Sequence, residues 1–225
     1  MPPSRTASSR IQDSLVATGK GDDGTTGLLY GGERIAKDDL RTEAYGTIDE
    51  AVAALGVARA QLGLKDADVT LPASVGSLQE LILRFQRELF VAAAELATNP
   101  DAWDRLEDGR TRVSADMVAG VESVLAETEA SIQMPREFVV PGETPASAAL
   151  EVARTILRRA ERRAVSLDRQ ELIPAPHLLP YLNRLADLLW VLARAAEQAE
   201  SRSATPSRTD PRRVGRARAS NRSNE

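Results

Sequence analysis

A chain of 225 residues, with 42% apolar residues and a formal net charge of −4, is long enough to bury a hydrophobic core within one domain. It has no cysteine, which excludes disulfides, thiolate metal sites and cysteine nucleophiles, and no run of about 18 apolar residues that could cross a membrane. Its first residues lack the apolar stretch of a secretory signal, so we expect a cytoplasmic protein.

The charge is distributed unevenly along the chain. Residues 201–225 contain seven arginines and two acidic residues, a charge of +5, which leaves −9 for the rest of the −4 chain. Because they have few apolar residues to bury, residues 1–14 and the basic tail 201–225 are predicted to be disordered, around a helical domain over 15–200. The tail could contact nucleic acid, but an acidic body argues against nucleic acid as the main partner. We expect deletion of 201–225 to leave activity intact.

The first patterned segment, from Val16 to Asp39, is rich in glycine, threonine and aspartate, which disfavours a long helix. Glycine N–H groups, threonine hydroxyls and lysines could contact phosphate oxygens there, although the residue order is not that of a Walker A motif. A flexible surface loop is the alternative. The candidate phosphate-binding residues are Thr18, Gly19, Lys20, Gly21, Asp22, Thr26, Gly27 and Lys37.

Five segments with apolar residues at helical spacing follow, which predicts an all-α fold, a five-helix bundle. The first runs from Ala44 to Leu62 and ends at Gly63, and the second runs from about Ser74 to Ala97. The third begins after Ser114 and the fourth after Thr144, both as N-caps, and the fifth covers about Tyr181 to Ala199. Chain breaks are predicted at Asn99-Pro100, Pro174, Pro176 and Pro180.

The fourth predicted helix carries a stripe of arginines. Arg154, Arg158 and Arg162 are four residues apart and lie on one side, where like charges repel unless an anion or a carboxylate neutralises them. Guanidinium groups bind phosphates bidentately, which suits a triphosphate, and Arg159 and Glu161 lie beside the stripe. A solvated basic face is the alternative.

On the fifth predicted helix, Asn183 and Asp187 lie one turn apart beside the apolar face. Asn183 could hydrogen-bond a nucleotide and Asp187 could pair with an arginine of the fourth helix, whereas simple exposure to solvent is the alternative. His177 is the one histidine in the sequence, and it lies among prolines in PAPHLLP, where we expect a surface residue. A cluster of histidine metal ligands and a Ser-His-Asp triad are therefore excluded. We predict no metal site made by the protein.

Four stretches within residues 18–195 form a combination of motifs: GDDGTTGLL…GGERIAKDD, EAYGTIDE, FVVPGETPASAALEVARTILRRAERR and YLNRLADLLWVLAR. Together, and in this order, they resemble the PduO-type ATP:cob(I)alamin adenosyltransferases. The resemblance implies a homotrimeric five-helix bundle with active sites between subunits. It also implies transfer of the 5′-deoxyadenosyl group of ATP, bound with Mg²⁺, to the cobalt of reduced cobalamin or another corrinoid such as cob(I)yrinic acid a,c-diamide, with release of triphosphate.

The resemblance assigns roles to individual residues. The loop Thr18–Gly21, with Thr26, Gly27 and Lys37, would wrap ATP from one subunit, and Arg158–Arg162 and Asn183 would hold it from the adjoining subunit. Asp49 would pair with Arg154 across the interface, and Phe138 would lie beneath the corrin ring. A corrinoid reductase and an adenosylcobalamin-dependent enzyme are the implied partners.

Three departures from the family pattern accompany the resemblance. Thr18-Gly19-Lys20-Gly21 replaces the usual Thr-Lys-Thr-Gly, Val52 occupies a place often held by Asn, and Glu143 replaces the second glycine of Pro-Gly-Gly. We expect the first departure to change individual loop contacts, and the other two to alter the corrinoid affinity or the rate. Two other functions remain open: a carrier or regulatory paralogue that binds ATP and corrinoid without turnover, and a helical interaction protein.

Overall fold

A bundle of five α-helices forms the body of the protein in a computed structural model that describes residues 16–17, 19–64, 69 and 71–208. The helices are α1 (Leu40–Gly63), α2 (Leu78–Ala97), α3 (Ala115–Ser131), α4 (Pro145–Asp168) and α5 (Leu178–Ala199), and a 3₁₀ helix (Pro100–Arg105) follows α2. Two antiparallel two-stranded ladders join β1 (Thr25–Thr26) to β2 (Ile35–Ala36) and β3 (Val139–Val140) to β4 (Thr205–Pro206). The predicted fold class is confirmed. No helix in the described ranges is long and apolar enough to cross a membrane.

Side-chain caps explain where four of the helices begin. Asp39 accepts from the N–H of Arg41 at the start of α1, and Ser77 accepts from Glu80 at the start of α2. Ser114 caps α3 as predicted. Thr144 forms a reciprocal capping box with Ser147 at α4, with Pro145 in the first turn. Caps of this kind satisfy N–H groups that have no partner inside the helix.

Two predicted boundaries are wrong. Pro180 was predicted to break the chain, but it lies in the first turn of α5, where a missing N–H costs no helical hydrogen bond. Residues 201–208, assigned to a disordered tail, instead follow α5 and include β4 (Thr205–Pro206), because backbone hydrogen bonds to β3 hold a segment with little apolar surface. Residues 1–14 and 209–225 lie outside the described residues.

The hydrophobic core lies between α1, α2, α4 and α5, and α3 packs against α5. Helical spacing predicts inward-facing residues on α1 and α5, and all of them are buried: Ala44, Ile48, Ala51, Leu55, Ala58 and Leu62 on α1, and Leu182, Leu185, Leu189, Leu192 and Ala196 on α5. On α4 the same spacing predicts that Ala149 and Ile156 face the core, but they are only partly buried, while the neighbouring Leu150 and Leu157 are fully buried. Burial of each leucine side chain contributes about 1.5–3 kcal/mol relative to exposure. The face of α4 that meets the core is therefore rotated slightly from the predicted one.

A buried arginine ties the helix ends together. Arg41 is 4% exposed, and its Nη1 and Nη2 atoms donate to the carbonyl oxygens of Leu96 (2.7 Å) and Leu172 (3.1 Å). Leu96 lies in the last turn of α2, where carbonyl groups lack helical partners and a cation is favourable. Arg41 thus fixes the start of α1 against the end of α2 and the connection between α4 and α5.

Glu95, on α2, is a carboxyl group with no exposed surface. Its Oε2 accepts from the N–H of Val113 at 2.8 Å, and its Oε1 has no partner among the described residues. Burial raises the pKa of Glu95 from 4.5 to about 7, against the opposing effects of the Val113 N–H and Arg112. The folded protein therefore holds this proton at pH values where an unfolded chain releases it.

We expect Glu95→Gln to stabilise the protein at pH 8 and to have little effect near pH 4.5. Between 4.5 and about 7 the unfolded wild-type chain binds fewer protons than the folded chain, so wild-type stability falls as pH rises. The free energy of unfolding of the wild type falls by at most about 3 kcal/mol over this range. Glu95→Gln avoids this decrease, because an amide does not titrate. Urea unfolding of both proteins at pH 5 and pH 8 measures the difference. An equal effect of the substitution at both pH values would contradict this account.

Candidate active site

The glycine-rich loop, residues 19–27, is held by a residue that lies outside it. The Nε atom of Arg34 donates to Thr25 Oγ1 at 2.7 Å, and its Nη2 donates to the carbonyl oxygens of Lys20 (2.7 Å) and Thr25 (2.9 Å). Thr25 in turn donates its N–H and its hydroxyl to Asp23 Oδ1. These two hydrogen bonds are the main cause that lowers the pKa of Asp23. The loop is therefore a hydrogen-bonded structure.

Lys37 lies directly over Gly21. A Cβ atom at position 21 would come within 2.8 Å of the Lys37 ammonium nitrogen, so a larger residue there would displace the end of the lysine side chain. The N–H of Lys37 donates to the carbonyl oxygen of Gly24 at 2.9 Å, which fixes the lysine backbone to the loop. The structure thus gathers Lys37, Gly21 and the neighbouring Lys20 and Asp22 at one end of the β1–β2 ladder. Thr26 lies in β1 and Gly27 follows it, while Thr18 falls outside the described residues.

The arginines of α4 divide into two groups. Arg159 forms an ion pair with Glu50, and Arg163 pairs with Glu43, so these two face α1. Arg158 and Arg162 are exposed and form no ion pair within the described residues; the Nη1 atom of Arg162 donates to the carbonyl oxygen of Arg158. The predicted site residue Arg159 is therefore already neutralised in its own chain, unlike Arg158 and Arg162.

The exposed arginines line a groove of about 340 Å³, which we call the arginine groove. Its lining residues are Arg158, Glu161, Arg162, Val165, Ser166 and Arg169. Three guanidinium groups and one carboxylate give it a positive charge, which favours a polyanion. In the described part of the chain, no hydrogen bond or ion pair connects this groove with the glycine-rich loop.

Asn183 links the two helices beside this groove. Its Nδ2 donates to Glu161 Oε1 at 3.1 Å, and its Oδ1 accepts from Arg184 Nη1 at 2.8 Å. Arg184 also pairs with Glu122 on α3. The carboxamide is therefore bonded on both sides, and a nucleotide contact with Asn183 requires one of these bonds to be exchanged.

A cavity of about 660 Å³, the Phe138 pocket, opens between α3, α4, α5 and the segment before β3. Phe138 lines it with 85% of its surface exposed, an unusual placement for a large apolar side chain. Other lining residues include Leu125, Met134, Arg154, Asp187, Trp190 and Val191. The volume lies within the range of about 300–1,000 Å³ that small-molecule sites occupy. An apolar cavity rimmed by a few charged groups suits a large, mostly apolar ligand.

An ion-pair network lies behind this pocket. The Nε atom of Arg154 donates to Glu151 Oε2 at 2.6 Å, and Glu151 Oε1 accepts from Arg194 Nη1 at 3.1 Å. Arg194 is 1% exposed and forms a bidentate pair with Glu197. Two arginines and two glutamates sum to zero charge, which is the condition under which buried ions are tolerated.

Arg154 is therefore already paired within its own chain, with Glu151, and the expected contact with Asp49 of a neighbouring subunit would be a second one. Asp49 is exposed and forms no ion pair among the described residues, so it remains available for a contact outside the chain. The predicted pair between Asp187 and an arginine of α4 is absent from the described part of the chain, although Asp187 and Arg154 line the same pocket. His177 is partly buried at the start of α5, and its side chain does not cap that helix.

Sequence reasoning missed Arg34 and Arg194. The sequence around Arg34 contains no pattern that predicts its contacts, because residue spacing does not show that the chain folds back onto Thr25. Arg194 gave one: it is the only charged residue between Asp187 and Glu197, on a helix that is otherwise apolar there. The residues departing from the family pattern have ordinary environments, since Val52 packs in the core and Glu143 is partly exposed before α4.

Within the described residues, no group of three or more Asp, Glu or His side chains is arranged to hold a metal ion. The polar groups of the site are the glycine-rich loop with its lysines, the arginine groove and the charged rim of the Phe138 pocket. Cationic side chains therefore lie at two places, and an apolar cavity lies at a third.

Known proteins are similar to this chain in sequence and in fold. The sequence model of the family described as cobalamin adenosyltransferase matches residues 16–196. A corrinoid adenosyltransferase from Citrobacter freundii is 38% identical over 182 residues, covering 81% of this chain and 94% of the relative. A corrinoid adenosyltransferase from Mycobacterium bovis is also 38% identical, over 80% of this chain and 88% of the relative.

Solved structures of adenosyltransferases also resemble this fold. A variant of the PduO-type ATP:corrinoid adenosyltransferase from Lactobacillus reuteri, complexed with cobalamin and ATP, has a TM-score of 0.70 at 28% identity, over 84% of this chain and 97% of that chain. A second variant of the same enzyme, also complexed with cobalamin and ATP, has a TM-score of 0.73 at 28% identity, over 86% of this chain and 97% of that chain. Because the family model matches residues 16–196, which include all of the helical bundle except the last three residues of α5, the chain belongs to the cobalamin adenosyltransferase family.

Proposed function

We propose that this protein is an ATP:corrinoid adenosyltransferase that moves the 5′-deoxyadenosyl group of ATP to the cobalt of a reduced corrinoid. The observation that carries the proposal is the pair Arg158 and Arg162, which form no ion pair in the described chain and line the positively charged groove. A triphosphate matches that charge, and the family relationship gives the reaction.

The reaction needs no general base. The lone pair of cob(I) attacks the C5′ atom of the ribose, the Co–C bond forms, and the C5′–O bond breaks with its electron pair on triphosphate. Cobalt is formally oxidised from I to III, and triphosphate leaves as the anion. Arg158 and Arg162 stabilise the negative charge that gathers on the leaving group. Mg²⁺ enters with ATP, because Mg²⁺ is normally held through substrate phosphates and few carboxylates.

The glycine-rich loop holds the same nucleotide through different groups. Lys20, Lys37 and the N–H groups around Gly21 bind phosphate oxygens, while Arg34 keeps the loop in shape. The side chain of Phe138 lies against the lower face of the corrin ring and excludes an axial ligand from cobalt. A cobalt(II) centre without that ligand is easier to reduce, so a separate reductase can supply the electron. An adenosylcobalamin-dependent enzyme would take the product.

No hydrogen bond or ion pair joins the loop to the arginine groove within the described chain. The family resemblance implies active sites between subunits, so we infer that the loop of one subunit and the groove of its neighbour contribute to one site. We infer a homotrimer with Asp49 of one subunit beside Arg154 of the next. The exposed position of Asp49 supports this arrangement. A cytoplasmic location likewise remains a prediction.

We expect sedimentation to give a trimer at micromolar concentration, and Asp49→Ala to shift it toward smaller species. Removing the carboxylate leaves the outer side of Arg154 unpaired at a partly buried contact, which destabilises association. Asp104→Ala is the matched control, since Asp104 is also exposed and forms no ion pair in the described chain. A wild-type protein that sediments only as monomer contradicts the trimer.

An anaerobic assay tests the function. The absorbance spectrum of cob(I)alamin is followed after ATP is added, and adenosylcobalamin and triphosphate are expected in equal amounts. ATP binding without turnover would identify a carrier or regulatory paralogue. A protein that binds neither ATP nor corrinoid would be a helical interaction protein.

A further inference from the structure

The C-terminal segment after α5 runs beside the segment that carries Phe138. We call residues 132–144 the Phe138 loop and residues 198–207 the C-terminal strap. The loop contains Pro135, Pro141 and Gly142, and its only regular structure in the described chain is the two-residue strand β3. Its shape therefore depends on contacts from outside it.

The first contact is made by Gln198, in the last turn of α5. Its Oε1 accepts from the N–H of Gln133 at 2.9 Å, and its Nε2 donates to the carbonyl oxygen of Gln133 at 2.8 Å. One side-chain amide thus satisfies both backbone groups of a residue at the start of the Phe138 loop, as a neighbouring strand would.

The chain then reverses at Ser201. This residue has φ = 54°, in the left-handed region that ends many helices. The N–H of Ser201 donates to the carbonyl oxygen of Gln198, and that of Arg202 donates to Glu197, both at 2.9 Å. These bonds close α5 and direct the following residues back toward the Phe138 loop.

The second contact is the β3–β4 ladder itself. Val139 is opposite Pro206 and Val140 is opposite Thr205, and the N–H of Ser207 donates to the carbonyl oxygen of Phe138 at 2.8 Å. A backbone hydrogen bond therefore acts on the residue whose side chain lines the pocket. With 85% of its surface exposed, the Phe138 side chain has little packing of its own to fix its position.

We propose that the C-terminal strap is a positioning element for Phe138 and so a part of the corrinoid site, an inference that rests on the proposed function. A side chain that must exclude a ligand from cobalt needs placement to within about 0.5 Å, which an unsupported loop does not give. The strap supplies that support at both Gln133 and Phe138. Thr144, capping α4, holds the far end of the loop.

The sharpest test compares Ser207→Pro with Ser207→Ala. Proline removes the N–H that donates to Phe138, whereas alanine keeps it and changes only an exposed side chain. We expect Ser207→Pro to lower adenosylation from cob(II)alamin plus reductant by about fivefold to tenfold, the effect of losing one hydrogen bond. KM for ATP and the rate from chemically prepared cob(I)alamin should change little. Ser207→Ala should match wild type in all three measurements.

Two truncations provide a second test. A chain ending at Arg208 keeps every strap contact and should retain wild-type activity, while a chain ending at Glu200 removes β4 and should lose activity from cob(II)alamin. This replaces the expectation that all of 201–225 is dispensable. The electron paramagnetic resonance spectrum of bound cob(II)alamin, with ATP present, should show more axially ligated cobalt in the shorter chain.

The outcomes separate the two proposals. If wild type does not adenosylate corrinoid, the proposed function fails. If wild type is active and Ser207→Pro and the chain ending at Glu200 equal it, the strap has no positioning role. Equal losses from cob(II) and cob(I), or a raised KM for ATP, would also overturn the inference, because they indicate general damage.

Discussion

Arg158→Ala is expected to lower kcat/KM for ATP by about tenfold to a hundredfold, because a charge-assisted hydrogen bond is worth about 1.5–3 kcal/mol. Arg158 lies in the arginine groove, forms no ion pair in the described chain and is exposed to a ligand. Under the proposed function, its removal takes away a cation at the place where the leaving triphosphate would gather charge. The core is untouched, so the stability of the fold should be preserved.

Steady-state kinetics with varied ATP measure this effect, and two further variants interpret it. Arg158→Lys keeps the charge but loses the bidentate geometry, so it should recover only part of the loss. Arg87→Ala removes an exposed arginine on α2 outside the groove and should be neutral. If Arg87→Ala lowers kcat/KM as much as Arg158→Ala does, the effect is one of overall charge and the groove assignment is wrong.

Phe138→Ala is expected to separate the two halves of the reaction. ATP binding should survive, because the side chain lines the Phe138 pocket and not the arginine groove. Adenosylation starting from cob(II)alamin and a reductant should fall at least about tenfold, the equivalent of about 1.4 kcal/mol, because an axial ligand can now reach cobalt. Starting from chemically prepared cob(I)alamin should restore much of the rate, since that route bypasses reduction.

The same two starting materials applied to Arg158→Ala provide the contrast. That variant should be slow from both, because its defect lies in the departure of triphosphate. Phe90→Ala is the control for loss of an exposed aromatic, as Phe90 is 58% exposed on α2 and does not line the pocket. If Phe138→Ala is as slow from cob(I) as from cob(II), or no longer binds ATP, the role given to Phe138 is wrong.

The helices were predictable because each one repeats the same local rules. Apolar residues such as Ile48, Leu55 and Leu185 recur at helical spacing, and Ser114 and Thr144 begin helices through local hydrogen bonds. Such signals need only a few neighbouring residues. The predictions of a trimer and of individual residue roles came from the family motifs, because spacing alone contains neither, and they stay predictions.

What escaped prediction depends on contacts between distant parts of the chain. Spacing placed Arg158 and Arg159 next to each other, but only the packing of α1 against α4 shows that Arg159 meets Glu50 and Arg158 does not. The pairing of β4 with β3 joins residues more than sixty positions apart, through backbone groups that every sequence has. Composition therefore assigned Thr205 and Pro206 to a disordered tail.

The bonds made by Arg34 have a thermodynamic consequence for nucleotide affinity. Fixing the backbone of one residue costs about 1–2 kcal/mol in conformational entropy. Because Arg34 restrains the loop at Lys20 and Thr25 in the free protein, that entropy cost is part of the folding free energy. Under the proposed function, ATP binding to the loop would not include this cost, and the affinity for phosphate would depend on a side chain that does not itself contact the ligand.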